Sequence, residues 1–259
     1  MSAKLFFSLL MLCAVGFVTH FSNAEVNPAN TVAIWLCDEG AGKTVSDSSG
    51  NGHDGTFVNN EGWTSDGKFG SALEFSGEAG NYVEIPHDDS LSLTEWTITA
   101  WTKLTPPTTG GWSVVLVKDP ANGIQNYSLD MNGDGRVFAE VTSGGGWSDA
   151  GSTTTVYDDQ WHFLAASYDG TTLRAYVDGV LENEQPFGPG DASDAPIAIG
   201  DRLDKSQPIK GTVDEVGLFS VALSEDDLNT VMETGLGSGL TAVEPTSKLA
   251  ATWGQIKAY

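Results

Sequence analysis

The sequence predicts an all-β protein of short antiparallel strands, with one short helix near the C-terminus. Three observations carry this. Apolar and polar residues alternate with period 2 through most of the chain. Two Asp-Gly pairs between such runs sit nine positions apart, the spacing of strands in sandwiches and barrels. Glycine is abundant, 31 of 259 residues, and Asp, Asn, Ser and Thr are frequent, which suits many turns and few long helices.

In chain order, the first element is a targeting segment, residues 1–24. Lys4 is its charged region and Leu5 to Val18 its apolar stretch. Ser22 and Ala24 are the small residues a signal peptidase reads, so cleavage is expected after Ala24. Leu12 before Cys13 argues against a lipoprotein anchor. No later apolar run approaches the roughly 18 residues of a membrane span. Export to the periplasm, the cell surface or the medium is therefore expected.

The formal charge is −23 at pH 7. Nucleic acid and anionic membrane both need a basic footprint, so neither is expected as a partner. Removing the leader takes away Lys4 and no acid, leaving 11 basic against 35 acidic residues, or −24. It also removes Cys13. Cys37 then stands alone, no intrachain disulfide is expected, and the thiol reads as a small buried hydrophobe.

The strands follow. In "WTITAWTKL", Trp96, Ile98, Ala100 and Leu104 fall on one face and Thr97, Thr99 and Lys103 on the other. "HFLAASYDGTTLRAYVDGVLENE" reads as strand, Asp169-Gly170, strand, Asp178-Gly179, strand. Both central residues of such turns are expected at φ > 0.

"LDMNGDGRVFAEV", residues 129–141, can be read as an EF-hand loop or as a hairpin. An EF-hand needs flanking helices and a Glu at its twelfth position; that position is Val141. A loop of three or five residues centred on Asp134 puts Tyr127, Leu129, Val137, Ala139 and Val141 on one apolar face. The hairpin is the reading adopted, and its three-residue version is expected to set Asp130 opposite Arg136.

One convincing helix follows, "SEDDLNTVMETG". Ser224 can cap it, Glu225, Asp226 and Asp227 suit its first turn, and Gly235 can end it. The folded domain is expected to run over 25–235. A flexible linker is read at 236–247 and a tail at 248–259, where Leu249, Trp253 and Ile256 have helical spacing.

Six segments together resemble a LamG-like jelly roll of the concanavalin A-like lectin/glucanase superfamily. They are "VAIWLCDEGAGKTVSDSSGNGHDGTF", "GKFGSALEFSG", "NYVEIP", "LSLTEWTITAWTKL", "WHFLAASYDGTTLRAYVDG" and "IKGTVDEVGLFSVALSEDDL". The resemblance covers about residues 31–234 and implies a two-sheet antiparallel sandwich that binds at a sheet face or its rim loops. It is specific for fold and weak for function, because this architecture hosts adhesion modules, sugar binders and hydrolases.

Enzymes of that superfamily carry Glu-x-Asp-x-x-Glu or a close variant on a strand, and retaining glycosidases need two carboxyls about 5 Å apart. No such run is present. Asp214 and Glu215 are adjacent, which on a regular strand points them to opposite faces. His53, His87 and His162 are scattered. A non-catalytic protein is expected.

The resemblance implies a calcium that staples an early turn to a late strand. "CDEGAGKTVSDSSGNGHDG" packs Asp38, Glu39, Asp47, Asn51 and Asp54 among glycines. Carried over, the ligands would be Asp47, Asn51, the His53 carbonyl and Asp214, with Glu39 a further candidate. The residue types equally allow Asp47 and Asn51 to build Asx-turns and Asp214 to accept a local hydrogen bond.

Trp112 and Trp147 each follow Gly-Gly. An indole on a loop can stack on a sugar's apolar face, or fold back to anchor its own loop. Asn126, Tyr127 and Asp130 are neighbours if a sheet face is the site. The functional expectation is an exported, monomeric, calcium-stabilised module that binds a glycan or an extracellular protein. The alternatives are a surface module that binds only proteins, and a glycosidase with an unusual site.

Overall fold

The alternating segments become paired strands in the computed structural model, which describes residues 26–237 apart from Glu61, Thr109, Ala121 and Asn122. The expected leader, the tail and most of the expected linker lie outside the described residues. The early strands are β1 (Thr31–Trp35), β2 (Thr44–Val45), β3 (Gly55–Val58), β4 (Trp63–Thr64), β5 (Ala72–Ser76) and β6 (Tyr82–Ile85). The middle ones are β7 (Trp96–Leu104), β8 (Ser113–Lys118), β9 (Tyr127–Met131), β10 (Arg136–Ser143) and β11 (Gly146–Thr155). Then come β12 (Trp161–Tyr168), β13 (Thr172–Val177), β14 (Val180–Pro186), β15 (Ile197–Ile199), β16 (Lys210–Phe219) and the helix α1 (Glu225–Thr234).

They form two antiparallel eight-stranded sheets. Sheet I runs β14-β13-β12-β7-β16-β5-β4, with β1 also paired to β16. Sheet II runs β11-β10-β9-β8-β15-β6-β3-β2. Chain neighbours such as β7 and β8 lie in different sheets, and early strands sit beside late ones, as in a jelly-roll sandwich.

The inward faces interdigitate as the alternation requires. Trp96 of sheet I packs against Tyr127 of sheet II at 5.9 Å and against Tyr168 at 6.1 Å between ring centroids. Such ring pairs contribute about 0.5–1.5 kcal/mol beyond the area they bury. All three are buried, as are Leu129, Val137, Ala139 and Val141.

The outward face of sheet I departs from simple alternation. Thr97 and Thr99 are also buried, because a second apolar layer covers this face. Trp101, Phe163 and Tyr176 of the sheet meet Leu228 and Val231 of α1 there. Thr97 Oγ1 donates to the Val221 carbonyl at 2.7 Å and accepts from Leu223 N at 2.9 Å, which ties the approach to α1 onto β7. Ser224 and Asp227 form a capping box at the helix start.

Leu236, expected to open the linker, is fully buried in this second layer, and its N–H donates to Glu215. The folded unit therefore extends past 235.

Asn132 N bonds the Arg136 carbonyl at 3.1 Å and Gly135 N bonds Asn132 O at 2.8 Å, closing a loop centred on Asp134. Asp130 pairs with Phe138, not with Arg136, because a reversal centred on Asp134 sets position 130 against position 138. The two Asp-Gly turns also differ. Asp178 and Gly179 both have φ > 0. At the other turn only Gly170 does, and Asp169 instead accepts bonds from Thr171 N and Thr172 N at 2.9 Å each.

Candidate functional site

The outer face of sheet II carries a polar network that is buried at its centre and reaches the surface at Glu140, Asp149 and Trp147. Cross-strand register sets Asp149, Glu140, Ser128, Val117, Ala198 and Glu84 in one row across six strands. Polar side chains in this row form a connected network. Gln125 Nε2 donates to Ser128 Oγ at 2.6 Å and to Glu140 Oε2 at 3.4 Å, and Ser128 Oγ donates to Asp130 Oδ2 at 2.5 Å. Burial pushes Asp130 well above the usual carboxylate range, and Glu140 beside it raises it further. Glu140 is itself raised by burial and lies nearer solvent.

Aromatic rings flank this network. The half-buried Trp112 ring lies 4.8 Å from Phe138. Phe138 can lie over β11 because its cross-strand partner is Gly151, where an added Cβ would sit 2.3 Å from the ring. The Arg136 guanidinium lies 5.7 Å from the same ring, and its Nε donates to the Ser152 carbonyl. At the other end Trp147, opposite Thr142, is 48% exposed. The Arg202 guanidinium lies 5.7 Å from its ring and pairs with the buried Asp119.

Trp147 is presented by a chain of backbone anchors. Asn126 Nδ2 donates to the Asp191 carbonyl at 2.8 Å and to Leu93 O at 2.9 Å, and its Oδ1 accepts from Leu93 N at 3.1 Å. The Asp191 carboxylate in turn accepts from Gly144 N at 2.9 Å and from Gly145 N. Those glycines form the turn that delivers Trp147 to the start of β11. Asn126 thus positions the site from beneath instead of facing a ligand.

Beyond Arg202 the face opens into a cleft of about 540 Å³, with Pro120, Ile124, Ser193, Asp194, Pro196 and Leu203 in its lining. Lys118 holds its wall: Nζ donates to the Ala195 carbonyl at 2.5 Å and lies 2.9 Å from His87 Nδ1. Burial lowers this ammonium to about 8.

Of the residues expected to contact a ligand, Trp112 and Trp147 lie at this outer face, and Asp130 is on the same side of its strand but buried beneath it. Tyr127 does not. It points into the inter-sheet core, where its hydroxyl donates to the Leu91 carbonyl at 2.9 Å, because it shares the parity of Leu129. Phe138, Glu140 and Gln125 went unnoticed in the sequence, although Phe138 and Glu140 alternate with the core residues of "RVFAEV" and so had to face outward. Arg202 lies in a loop and has no local signal.

A family model described as Laminin_G_3, of the concanavalin A-like lectin/glucanases superfamily, matches residues 76–229, which is 154 of 259 residues. The chain belongs to this superfamily. Among curated proteins no sequence relative matches it. Solved structures resemble this superfamily member in fold. The binding domain of Paraclostridial Mosquitocidal Protein 1 aligns with TM-score 0.65 at 14% identity, over 79% of this chain and 52% of that one. Domain 4 of AbnA, a GH43 extracellular arabinanase from Geobacillus stearothermophilus, in complex with arabinotriose, aligns with TM-score 0.64 at 21% identity, over 78% and 98%. The binding domain of botulinum neurotoxin DC, in complex with rat synaptotagmin II, aligns with TM-score 0.61 at 11% identity, over 80% and 52%. The chain spans about half the length of the toxin domains it matches. The two toxin neighbours are binding domains, and the arabinanase domain was solved with arabinotriose.

The calcium ligands expected for a superfamily member do not fit one site as placed. Asp47 Oδ1 accepts from Ile34 N at 3.0 Å and Ser49 N at 2.9 Å, and Oδ2 accepts from His53 N at 3.0 Å. Asn51 donates to the Thr31 and Val32 carbonyls. The His53 carbonyl accepts from the Trp35 indole at 2.8 Å, and Glu39 accepts from Ser46 N at 2.8 Å. Asp214 serves a different segment, taking Phe69 N at 2.9 Å. Among the described residues no three His, Cys, Asp or Glu side chains cluster to hold a metal ion.

A bulge in β16 also corrects the expectation for Asp214 and Glu215. Glu215 has φ of +49°, and register shifts between Asp214 and Gly217. Both carboxyls therefore reach segments on the outer side of sheet I: Asp214 bonds Phe69 N and Glu215 bonds Leu236 N. They clamp backbone.

Proposed function

We propose that the chain is an exported, non-catalytic module that binds a carbohydrate on the outer face of sheet II. The observation that carries the reading is Trp147, a large ring 48% exposed at the edge of a row of hydrogen-bonding side chains. Apolar surface on one side and fixed acceptors on the other suit a sugar, which has an apolar ring face and peripheral hydroxyls. The arabinanase domain of similar fold, solved with arabinotriose, supports it. The leader read in residues 1–24 supports export. Calcium has no part in this reading.

The neurotoxin domain solved with synaptotagmin II favours a second reading, in which the same face meets a protein. A glycan array separates the two. Binding to a defined glycan class is expected, and Trp147→Ala should weaken it about tenfold while the far-UV spectrum and melting temperature hold. Failure of the folded protein to bind any glycan would sink the first reading. Release of reducing sugar would make it an enzyme instead.

A further inference from the structure

We infer that the outer face of sheet II takes an extended, uncharged oligosaccharide laid along β10 and β11, rather than a single sugar or an acidic glycan. This rests on the carbohydrate-binding reading. The two aromatic platforms lie at opposite ends of one strand pair. Phe138, against which Trp112 packs, pairs with Gly151, and Trp147 pairs with Thr142. Four residues separate these positions along each strand, about 13 Å at roughly 3.3 Å per residue. A single sugar ring cannot touch both ends; a short chain can. Between the platforms Glu140 and Asp149 face each other, so carboxylate acceptors line the interval, and the buried Gln125 amide bonds Glu140.

The charges decide the class. Three cations beside the platforms and the cleft make contacts within the protein. Arg136 bonds the Ser152 carbonyl beside the Phe138 ring, and Arg202 pairs with Asp119 beside Trp147. Lys118 is held by the Ala195 carbonyl and His87. The acids Glu140, Asp149 and Glu84 share one row, Asp191 and Asp194 stand at the rim, and the whole chain carries −23. That field opposes a polyanion.

Calorimetric titration with linear neutral oligosaccharides of one to six units (arabinan, xylan and β-glucan series), and with uronic-acid oligomers of matched length, tests this. Affinity for one neutral series should rise at least tenfold from the monosaccharide and then level off. Trp147→Ala, a change at an exposed position, should cost the longer oligomers roughly tenfold, the weight of one aromatic contact. Equal affinity for monosaccharide and oligomer, or tighter binding of the acidic series, would overturn the inference and leave sugar binding standing. No binding by any series to the folded protein would overturn both.

Discussion

The Arg202 guanidinium lies 5.7 Å from the Trp147 ring while pairing with the buried Asp119 carboxylate. The two residues should therefore respond differently to truncation. Trp147→Ala removes a ring that is mostly contact surface and should shift stability by no more than about 0.5 kcal/mol. Arg202→Ala withdraws the positive partner from a buried carboxylate, a change that costs about 3–5 kcal/mol when both charges are fully buried and less here, where Arg202 keeps some exposure. Thermal melts of both variants check this; equal losses would mean that Trp147 anchors its turn.

The pH dependence follows from the clamp on β16. Burial drives Asp214 from 3.8 up to about 6 and Glu215 from 4.5 up to about 7. Their contribution to stability is complete below the unfolded values and is lost as pH rises through 6 and 7, because the unfolded chain gives up these protons first. His162 acts in the same direction: bonds to Asp178 and Asp158 outweigh its burial and raise it. The melting temperature should therefore fall by a few degrees between pH 5 and pH 8. Glu215→Gln keeps an acceptor for Leu236 without the charge, so it should flatten that slope and raise the melt at pH 8. A wild-type melt that climbs over this range would contradict the assignment.

The Asp47 turn should be held by its own hydrogen bonds. Asp47 is lowered because backbone bonds from Ile34, His53 and Ser49, with the Ser49 hydroxyl, outweigh its burial. Asp47→Ala orphans three backbone donors, each bond to a charged group contributing about 1.5–3 kcal/mol. It should lower the melt strongly, and chelator should leave the wild type unchanged. A wild-type melt that drops on adding chelator and recovers with calcium would put an ion back in the turn.

What was legible in the sequence was what a two-residue period encodes. Trp96, Ile98, Leu129 and Val141 had to share a buried side, and they do. The same period also places Phe138 and Glu140 outward, on the side opposite Val137 and Ala139. Long-range events were illegible. Asp214 and Glu215 turn to the same side only because a bulge interrupts β16, and Thr97 is buried only because α1 and its approach return from over a hundred residues away. Arg202 reaches Trp147 through a loop whose path no local pattern records.

The hairpin tip ranks its own substitutions. Asp134→Ala removes an exposed side chain and should stay within about 0.5 kcal/mol. Asn132 Oδ1 accepts from Asp134 N at 3.1 Å and Arg136 N at 3.0 Å, so Asn132→Ala should cost about 1–2 kcal/mol. Gly135 sits at φ of +84° with an added Cβ only 2.8 Å from the Tyr157 ring, so Gly135→Ala should cost more than the roughly 1–2 kcal/mol of left-handed strain alone. Urea titrations of the three variants check the order. Asp134→Ala as the most damaging of them would mean that its carboxylate has a role the hairpin reading denies it.

The C-terminal boundary gives the last prediction. A chain ending at Gly235 keeps every residue of α1 but loses Leu236, whose side chain is fully buried beside Val231 and Phe219. Burying such a side chain stabilises by about 1.5–3 kcal/mol. The truncation also leaves Glu215, already raised by burial, without the two backbone donors of Leu236 and Gly237. A chain ending at Gly237 retains all of this. The shorter chain should melt several degrees below the longer one at pH 7, at about 2–4 °C per kcal/mol for a domain of this size. The gap should narrow at pH 5, where Glu215 is protonated in both and its lost donors matter less. Identical melts for the two chains would mean that Leu236 contributes nothing and that the folded unit ends with the helix.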